Sequence, residues 1–497
     1  TLFPYTTLFR SIIDRLMNKS CNNYHILIFI KTNALAKIKI KLMDAHMTHF
    51  YHPTVNTQLQ HRPQITTSQL FRVWGEAVST RYDTLASQFR PLFEQIKQHA
   101  LQREQRHELP IEQIQWLKDS GFTRLRLPKA YGGYEATLPE LFALLIELAE
   151  ADSNLPQILR IHFGFTEDVL VSQDPVFQQR WLERLARGDT IGSAWSEGGT
   201  ESIHAFKTHL STDESGKIRL NGEKYYTTGS LYANWVEVGV TDLHGESSTV
   251  IVPRHAQGVE ILDDWNGFGQ QLTASGTARF TDVLVDPSEF LPEGTRFKYS
   301  AAFYQLIQLA IITGLTRAAT YDVSAAVAKR TRNYSHANTP LVQNDPQILQ
   351  VVGQIRTAAY TAGVLVEKVA QSLERTYSAA LDSHSVSEAD LNALAELESA
   401  QAQGVITQLA LDASTLLFDA LGASAADKKY GFDRYWRNIR TLASHNPRVF
   451  KARIIGDFSV NGTLPPYQWR IGDTSKIEAQ AEQSTLKNAS SVSLTPT

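Results

Sequence analysis

Sulfur is almost missing from this chain of 497 residues. The sole cysteine is Cys21 and the methionines are Met17, Met43 and Met47, so residues 48–497 contain neither amino acid. This absence excludes disulfides, thiolate nucleophiles and cysteine-built metal sites from that part of the chain. It suits a protein made in quantity when sulfur is scarce, and a compositional quirk of the source is the alternative explanation.

The chain also has a small net charge and few long apolar runs. The formal net charge is -3, with 20% charged and 42% hydrophobic residues, which gives no indication of a nucleic-acid partner or an anionic membrane surface. No apolar run reaches the roughly 20 residues that a membrane-spanning helix needs. We therefore expect a soluble, cytoplasmic protein that binds neither nucleic acid nor membrane.

The first 46 residues do not have the character of a folded domain. Thr1–Ser11 reads TLFPYTTLFRS, which is what a common sequencing adapter gives when it is translated in frame. Residues 12–42 have no helix-capping signal and no lasting hydrophobic period. Their short apolar run could pass for a weak signal peptide, but no small-residue cleavage site follows it. We interpret residues 1–46 as an artefactual leader, translated from upstream DNA and outside the fold, with the true start at Met43 or Met47.

About 450 residues remain, which suits two or three domains. Apolar residues at helical spacing predict an N-terminal α-helical domain over 68–189, in which Leu138–Ala151 is apolar on nearly all sides and should be buried. Short β-rich runs between turns predict a middle antiparallel β-barrel or sandwich over 190–295. Within it, Asn221-Gly222 predicts a hairpin turn, because both central residues of the favoured turn need a positive φ.

Four long helical stretches predict a C-terminal four-helix bundle over 296–474, so the fold class is α+β. The polar tail 475–497 has no period, and we expect it to be disordered. The fourth helix is an arginine-rich segment that Pro447 must stop, because the residue before proline is pushed out of the helical region. That stop leaves His445 and Asn446 at the helix end, where side chains can face a pocket.

This order of domains resembles the acyl-CoA dehydrogenase superfamily over about residues 71–469, and local motifs agree. LPKAYGGYEAT at 127–137 resembles an early Pro-x-x-Tyr-Gly-Gly turn. GSAWSEGGTES at 192–202 resembles the strand that holds the flavin ring, and LNGEKYYTTGS at 220–230 resembles the stretch whose hydroxyl groups meet the flavin edge. The resemblance implies flavin contacts from five residues: Ser193, Trp195, Ser196, Thr227 and Thr228. Ordinary strand propensity is the better explanation for one of the two threonines.

The arginine-rich helix bears on the chemistry. In common acyl-CoA dehydrogenases an Arg-Asp-x-Arg helix leads to a Tyr-Glu-Gly-Thr turn, whose Glu removes the α-proton of the substrate. WRNIR at 436–440 resembles that helix and puts His445 and Asn446 where Tyr and Glu would be. An amide does not serve as a general base. Ordinary dehydrogenation is therefore disfavoured, although some relatives carry the base on another helix.

Three longer blocks are more specific: DDWNGFGQQLTASGTARF at 263–280, HFGF at 162–165 and the arginine-rich segment. They resemble the dibenzothiophene monooxygenases and related sulfur-acquisition oxidoreductases, although Asn446 replaces the usual Asp. The resemblance implies reduced FMN from a separate flavin reductase, and a C4a-hydroperoxyflavin formed with O2. One oxygen atom then goes to a small organosulfur or similar substrate in sulfur acquisition. It also implies a homotetramer.

Three catalytic residues are expected from the resemblance, and no metal site. His445 ranks first, as proton donor and peroxide stabiliser, because the unperturbed pKa of histidine lies near neutrality. Thr228 ranks second, as a hydroxyl near the flavin nitrogen. His162 ranks third, on a helix that lines the substrate pocket, and a core histidine with a satisfied hydrogen bond is the alternative interpretation.

The chain departs from this group where the flavin phosphate should bind. Tyr334 and Ser424 stand where the group commonly has arginines. Phosphate binding then falls to Arg330 and Arg332, or to the neighbouring Lys428 and Lys429, or is weaker, and FAD becomes possible instead of FMN. Two further hypotheses stay open: an FAD-dependent acyl-CoA dehydrogenase-type oxidoreductase, and a flavin-binding scaffold without turnover.

Overall fold

Helices precede and follow a β-sheet along the chain in the computed structural model, which describes residues 74–198, 206–292, 296–382 and 387–466. The α+β class and the order of helices, sheet and helical bundle are confirmed. The predicted leader at 1–46 and the tail at 475–497 lie outside the described residues.

The N-terminal part is helical, as predicted. Its helix α5 begins with a capping box, in which the side chains of Thr137 and Glu140 each accept a hydrogen bond from the backbone of the other. Ten of the fourteen residues of α5 are buried, which confirms the predicted buried helix. Within the described residues the helices are α1 Tyr82–Ser87, α2 Arg90–Lys97, α3 Ala100–Arg106, α4 Ile111–Asp119, α5 Leu138–Ala151, α6 Asn154–Ile158, α7 Arg160–Leu170 and α8 Pro175–Ala186.

The middle part is one sheet with the strand order β6-β7-β3-β2-β4-β5-β8, and β1 pairs with β4 beside that path. Its strands are β1 Ile191–Ala194, β2 His209–Thr212, β3 Ile218–Tyr225, β4 Trp235–Thr241, β5 Ser247–Pro253, β6 Val259–Ile261, β7 Thr277–Leu284 and β8 Phe290–Pro292. β1 and β2 both run parallel to β4, whereas the other pairs are antiparallel. The sheet is therefore mixed rather than wholly antiparallel, because the β2-β3 hairpin separates β1 from its partner along the chain.

The predicted hairpin turn at Asn221-Gly222 is wrong. Both residues lie inside β3, where the register with β7 shifts between Leu220 and Gly222, as in a β-bulge. Gly222 has φ +146, and a Cβ there would lie 2.5 Å from Thr208 Cα. The glycine thus serves a close backbone approach. The real turn lies between β2 and β3, where Asp213 Oδ1 accepts a hydrogen bond from the backbone N–H of Ser215 at 2.8 Å.

The C-terminal part forms the predicted bundle. Its helices are α9 Ser300–Lys329, α10 Pro346–Leu381, α11 Glu388–Leu421 and α12 Asp433–His445, followed by α13 Lys451–Asn461. α9, α10 and α11 pack against one another, and α12 packs on α9 and α11. α5 also packs on α9 and α10, so the N-terminal helices and the bundle share one hydrophobic core that is separate from the main core of the sheet.

Helix α11 is long and apolar enough to cross a membrane by length and composition, with a mean hydropathy of 1.3 over an 18-residue window. This differs from the expectation that no apolar run reaches that length. Of that window, 44% is buried inside the protein, where α11 packs against three other helices of the bundle. Its place in the bundle accounts for the apolar composition.

Candidate active site

The arginine-rich helix α12 is fixed in place by two residues of its WRNIR motif. Arg437 Nη1 donates to the Phe268 carbonyl at 2.9 Å and lies 3.0 Å from Glu104 Oε1. Asn438 Oδ1 accepts from the Gln270 backbone N–H at 2.5 Å, and its Nδ2 donates to Glu104 at 3.2 Å. These contacts tie α12 both to α3 and to the loop before β7, and so determine where the end of α12 lies.

At that end, α12 stops at His445, and Asn446 has an extended backbone with ψ 123, as the following Pro447 predicts. His445 Nδ1 lies 3.0 Å from Asn446 Oδ1. Asn446 Nδ2 in turn donates to Gln305 Oε1 at 2.7 Å, and Gln403 Nε2 donates to the Asn446 carbonyl at 2.9 Å. An amide oxygen only accepts hydrogen bonds, so this arrangement places the proton of neutral His445 on Nδ1.

The other ring nitrogen of His445 faces an arginine. His445 Nε2 lies 3.5 Å from Arg160 Nη2. His445 is accessible to solvent but surrounded by protein, and this desolvation, with the charge of Arg160, lowers its pKa to about 4. The lowered pKa does not support the reason given from sequence for a proton donor, which was a pKa near neutrality. The catalytic role of His445 stays a prediction.

Arg160 is a residue that the sequence analysis did not select. It is the first residue of α7, a helix whose other ten residues are all buried. Its guanidinium lies over the Tyr304 ring, 5.3 Å from the centroid. The signal was a lone basic residue at the start of an otherwise buried helix, which is costly unless it contacts a partner or a ligand.

Thr228 lies on the loop after β3, beside a buried chain of hydroxyl groups. Thr228 Oγ1 lies 2.7 Å from Ser275 Oγ, which lies 2.8 Å from Thr273 Oγ1. The next residue, Gly229, has φ +79 and packs so tightly on the end of α6 that a Cβ there would lie 2.3 Å from the Ile158 carbonyl oxygen. The structure thus brings the loop of Thr228 against the segment that leads into Arg160.

Thr227 and Ser193 have structural contacts. Thr227 Oγ1 donates to the Gly276 carbonyl at 3.0 Å. The Ser193 carbonyl accepts from Ser230 Oγ at 2.9 Å, which ties β1 to the same loop. These bonds hold the strand ends together, so the fully buried Thr227 is the member of the threonine pair that supports the loop.

Trp195 and Ser196 follow β1. The half-buried indole of Trp195 lies edge-on to Phe206 at 6.1 Å, and the Arg296 guanidinium lies 5.0 Å from its centroid. The Ser196 carbonyl accepts from the Tyr225 backbone N–H. A flavin ring needs a flat wall and polar groups along its edge. Trp195 and the Thr228–Ser275 hydroxyls fit that need, as does Gln157 Oε1, which is buried without a hydrogen-bond partner among the described residues.

The cations expected at the flavin phosphate lie far along the bundle from His445. Arg330 Nη1 donates to the Leu421 carbonyl, and a Cβ at Gly422 would lie 3.0 Å from Tyr334 Oη and 3.9 Å from Arg330 Nη1. Arg330 follows the end of α9, whereas Gln305, near its start, contacts Asn446. About 36 Å of helix separates the two ends. Arg330, and the exposed Arg332 two residues further on, therefore lie far from His445 of their own chain, and their place at the flavin phosphate stays a prediction.

His162 lies on the face of α7 opposite Arg160. It is buried, and its Nε2 lies 2.8 Å from the Thr123 carbonyl. Burial lowers its pKa to about 4. Gly164, one turn from Arg160, instead faces Tyr304, whose hydroxyl oxygen would lie 2.1 Å from a Cβ at that position. These contacts match the alternative interpretation of His162 as a core histidine, and they do not bring it to His445.

Two family models match this chain. The model of the acyl-CoA dehydrogenase N-terminal domain matches residues 83–189, and that of the acyl-CoA dehydrogenase C-terminal domain matches residues 306–448. The chain belongs to the acyl-CoA dehydrogenase family. Together the matches cover both helical parts, and the predicted resemblance is confirmed.

Individual similar proteins indicate which kind of enzyme the chain resembles. The chain is 26% identical over 384 residues to SfnC of Pseudomonas putida, a probable FMNH2-dependent monooxygenase, covering 76% of this chain and 94% of the relative. It is 26% identical over 371 residues to dibenzothiophene monooxygenase of Mycolicibacterium goodii, covering 71% and 88%. The solved structure of methanesulfinate monooxygenase MsuC from Pseudomonas fluorescens is similar with 25% identity and a TM-score of 0.70, covering 77% of this chain and 98% of that one. The protein is a flavin-dependent oxidoreductase, as predicted.

Proposed function

We propose that this protein is a monooxygenase that uses O2 and reduced FMN, delivered by a separate flavin reductase, to oxygenate a small organosulfur compound. Reduced FMN would supply the electrons that activate O2. The observation that carries the proposal is the end of α12, where His445 and Asn446 bond to each other and to Arg160 and Gln305.

These contacts do not suit proton abstraction from carbon. The Asn446 side chain is engaged with His445 and Gln305 and has no basic group to offer. His445 presents Nε2 to the Arg160 guanidinium, whose positive charge opposes protonation of the ring. A dehydrogenase of the common type needs a base of suitable pKa at this place, and the four side chains together supply donors and acceptors of hydrogen bonds instead.

The names of the relatives also support a monooxygenase that acts on a sulfur compound. One is a probable FMNH2-dependent monooxygenase, and two carry a sulfur compound, dibenzothiophene or methanesulfinate, in their names. In this chain we assign the ring wall to Trp195 and the hydroxyl contacts to Thr228 and Ser275. His445 holds its proton on Nδ1, so its Nε2 accepts a hydrogen bond at the reacting end of the site.

A homotetramer is the assembly that we propose. Arg330 and Tyr334 lie beyond the C-terminal end of α9, far from His445 of their own chain, and a second copy would bring equivalent groups from outside. The exposed faces of Tyr360 and Val364 on α10, with 50% and 46% of their surface accessible, give an apolar surface for such a contact. Light scattering of the purified protein measures the assembly directly.

The experiment supplies purified protein with reduced FMN under labelled O2 and a panel of small sulfur compounds, and measures transfer of the label to product. A parallel assay measures dye reduction by acyl-CoA with added FAD. Label transfer without dye reduction supports the monooxygenase. Dye reduction without label transfer would show the FAD-dependent acyl-CoA dehydrogenase instead, and flavin binding without either reaction would show a scaffold.

A further inference from the structure

The Arg160 guanidinium has no carboxylate partner within the part of the chain that the structure describes. Its neighbours are the Tyr304 ring and the neutral His445 Nε2, and its Nε is shielded from solvent without a hydrogen-bond partner among the described residues. Two other arginines inside the protein are paired with carboxylates. Arg126 lies 2.6 Å from Glu167, and Arg296 lies 3.3 Å from Asp168.

An unpaired cation in such a place is costly. Desolvation by the surrounding protein lowers the pKa of Arg160, which reports how poorly this place supports its charge. A charge removed from water costs free energy unless an opposite charge and hydrogen bonds compensate for it. The guanidinium also offers a planar set of donors that matches oxyanions. An anionic ligand beside Arg160 would therefore supply the opposite charge and the hydrogen-bond acceptors that the described residues do not.

We propose that Arg160 binds the anionic group of the substrate, which is then a small sulfur oxyanion such as an alkanesulfinate rather than a neutral sulfur heterocycle. This inference rests on the proposed monooxygenase function. An apolar heterocycle offers nothing to the guanidinium donors and would leave them desolvated and unpaired. An oxyanion accepts them while the ring of Tyr304 supports the guanidinium from its other side.

Besides the sulfinate, the reaction needs only O2 and reduced FMN. The sulfur lone pair of the sulfinate forms a bond to one oxygen atom of O2, which converts the sulfinate to a sulfonate. The second oxygen atom leaves as water, with two electrons and two protons from reduced FMN. The negative charge is kept through the reaction, so the same guanidinium serves substrate and product.

The test compares wild type, Arg160→Gln and Arg160→Lys with methanesulfinate and with neutral dibenzothiophene as substrates. Arg160→Gln should raise KM for methanesulfinate roughly 10- to 100-fold, the usual worth of a charge-assisted hydrogen bond. Its kcat/KM for dibenzothiophene, where wild type oxidises it, should fall less than its kcat/KM for methanesulfinate. Arg160→Lys should recover part of the loss, because it restores the charge without the planar fork. Arg106→Gln, at an exposed surface ion pair, is the matched control and should behave as wild type.

A second measurement does not depend on turnover. Calorimetric titration of methanesulfonate into the flavin-free protein should show binding to wild type and at least tenfold weaker binding to Arg160→Gln. Equal sulfonate binding by both proteins would overturn the inference. So would a weakening of FMN binding with an unchanged KM for methanesulfinate, which would show that Arg160 serves the cofactor phosphate.

The remaining outcomes separate this inference from the proposed function. If Arg160→Gln loses both substrates equally and releases hydrogen peroxide, Arg160 acts on oxygen activation and the substrate inference is wrong, while the monooxygenase stands. If wild type oxygenates no sulfur compound, the proposed function fails. Loss of sulfonate binding in Arg160→Gln would then still support an anion site.

Discussion

The side-chain oxygen of Asn446 accepts a hydrogen bond from His445 Nδ1 at 3.0 Å. This bond leaves Nε2 as the imidazole nitrogen that faces Arg160. Gln305 sets the orientation of Asn446 in turn, since Asn446 Nδ2 donates to Gln305 Oε1. Three uncharged side chains from α12, the residue after it and α9 thus fix one tautomer. A carboxylate at position 446 would have the same shape and a different effect, because a negative charge favours the imidazolium.

Asn446→Asp should therefore raise the pKa of His445 from about 4 toward or above its ordinary value. The new charge would also compete with His445 for Arg160, and the ring would titrate in the physiological range. Titration of the histidine ring by nuclear magnetic resonance measures this shift, with His445→Gln to assign the signal. Asn344→Asp, at an exposed position, is the matched control. An unchanged titration of His445 in Asn446→Asp would contradict the described contact.

His162 should make the protein sensitive to acid. Its folded pKa is about 4 and lies below the ordinary value of 6.5, so the unfolded chain binds the extra proton between these pH values. The stabilisation is therefore complete above pH 6.5 and is lost as the pH falls toward 4. By pH 5 the loss should be about 2 kcal/mol.

Urea unfolding of wild type and His162→Gln at pH 7.5 and pH 5 measures this contribution. Glutamine can still donate to the Thr123 carbonyl but does not titrate, so the variant should lose less stability on acidification. His244→Gln, on an exposed turn, should leave the pH dependence unchanged. Equal acid sensitivity of His162→Gln and wild type would show that His162 is not the titrating group.

Gly229→Ala should disturb the Thr228 loop by two separate effects. The positive φ alone costs about 1 kcal/mol for alanine, and the added Cβ would also meet the Ile158 carbonyl at 2.3 Å. Gly188→Ala isolates the first effect, since Gly188 has φ +93 and open space around it. We expect Gly229→Ala to lower the free energy of unfolding by about 2 kcal/mol more than Gly188→Ala. Equal losses in denaturant unfolding would mean that the loop relaxes away from α6.

Asn438→Leu should loosen the loop before β7. It leaves the Gln270 backbone N–H and Glu104 without the partner that Asn438 supplies, at a cost of about 1–3 kcal/mol. Hydrogen exchange should accelerate in residues 263–276 more than in α5, which lies in the helical core. Asn344→Ala, at an exposed position far from that loop in sequence, should not change exchange in that loop. Uniform acceleration across the whole chain would mean that Asn438 contributes only to global stability.

Local patterns predicted the parts of the fold that depend on local physics. The spacing of apolar residues predicted helix α5 with its observed ends, Leu138 and Ala151. Pro447 predicted the end of α12. Asn221-Gly222 has the same local character as a hairpin turn. It is a bulge because Gly222 is needed where the strand passes Thr208, a contact that no short window contains.

The site was predictable only in part for a related reason. His445 could be found from a helix stop, but its partner Arg160 is 285 positions away in sequence. The lowered pKa of His445 arises from the desolvation and the charge that this distant element brings. The separation of Arg330 from His445 could not be predicted from a motif, because a motif gives neighbours in sequence and not the length of the helix between them.

The shared core of the two helical parts has a consequence for how the chain acquires its structure. α5 buries its apolar surface against α9 and α10, which lie beyond the whole sheet in sequence. During synthesis the N-terminal helices must wait for well over a hundred further residues, at roughly 5–20 residues per second, before their partners emerge. The sheet, whose partners are close in sequence, can form first. Until then the apolar surface of α5 lacks the partners that bury it in the folded protein.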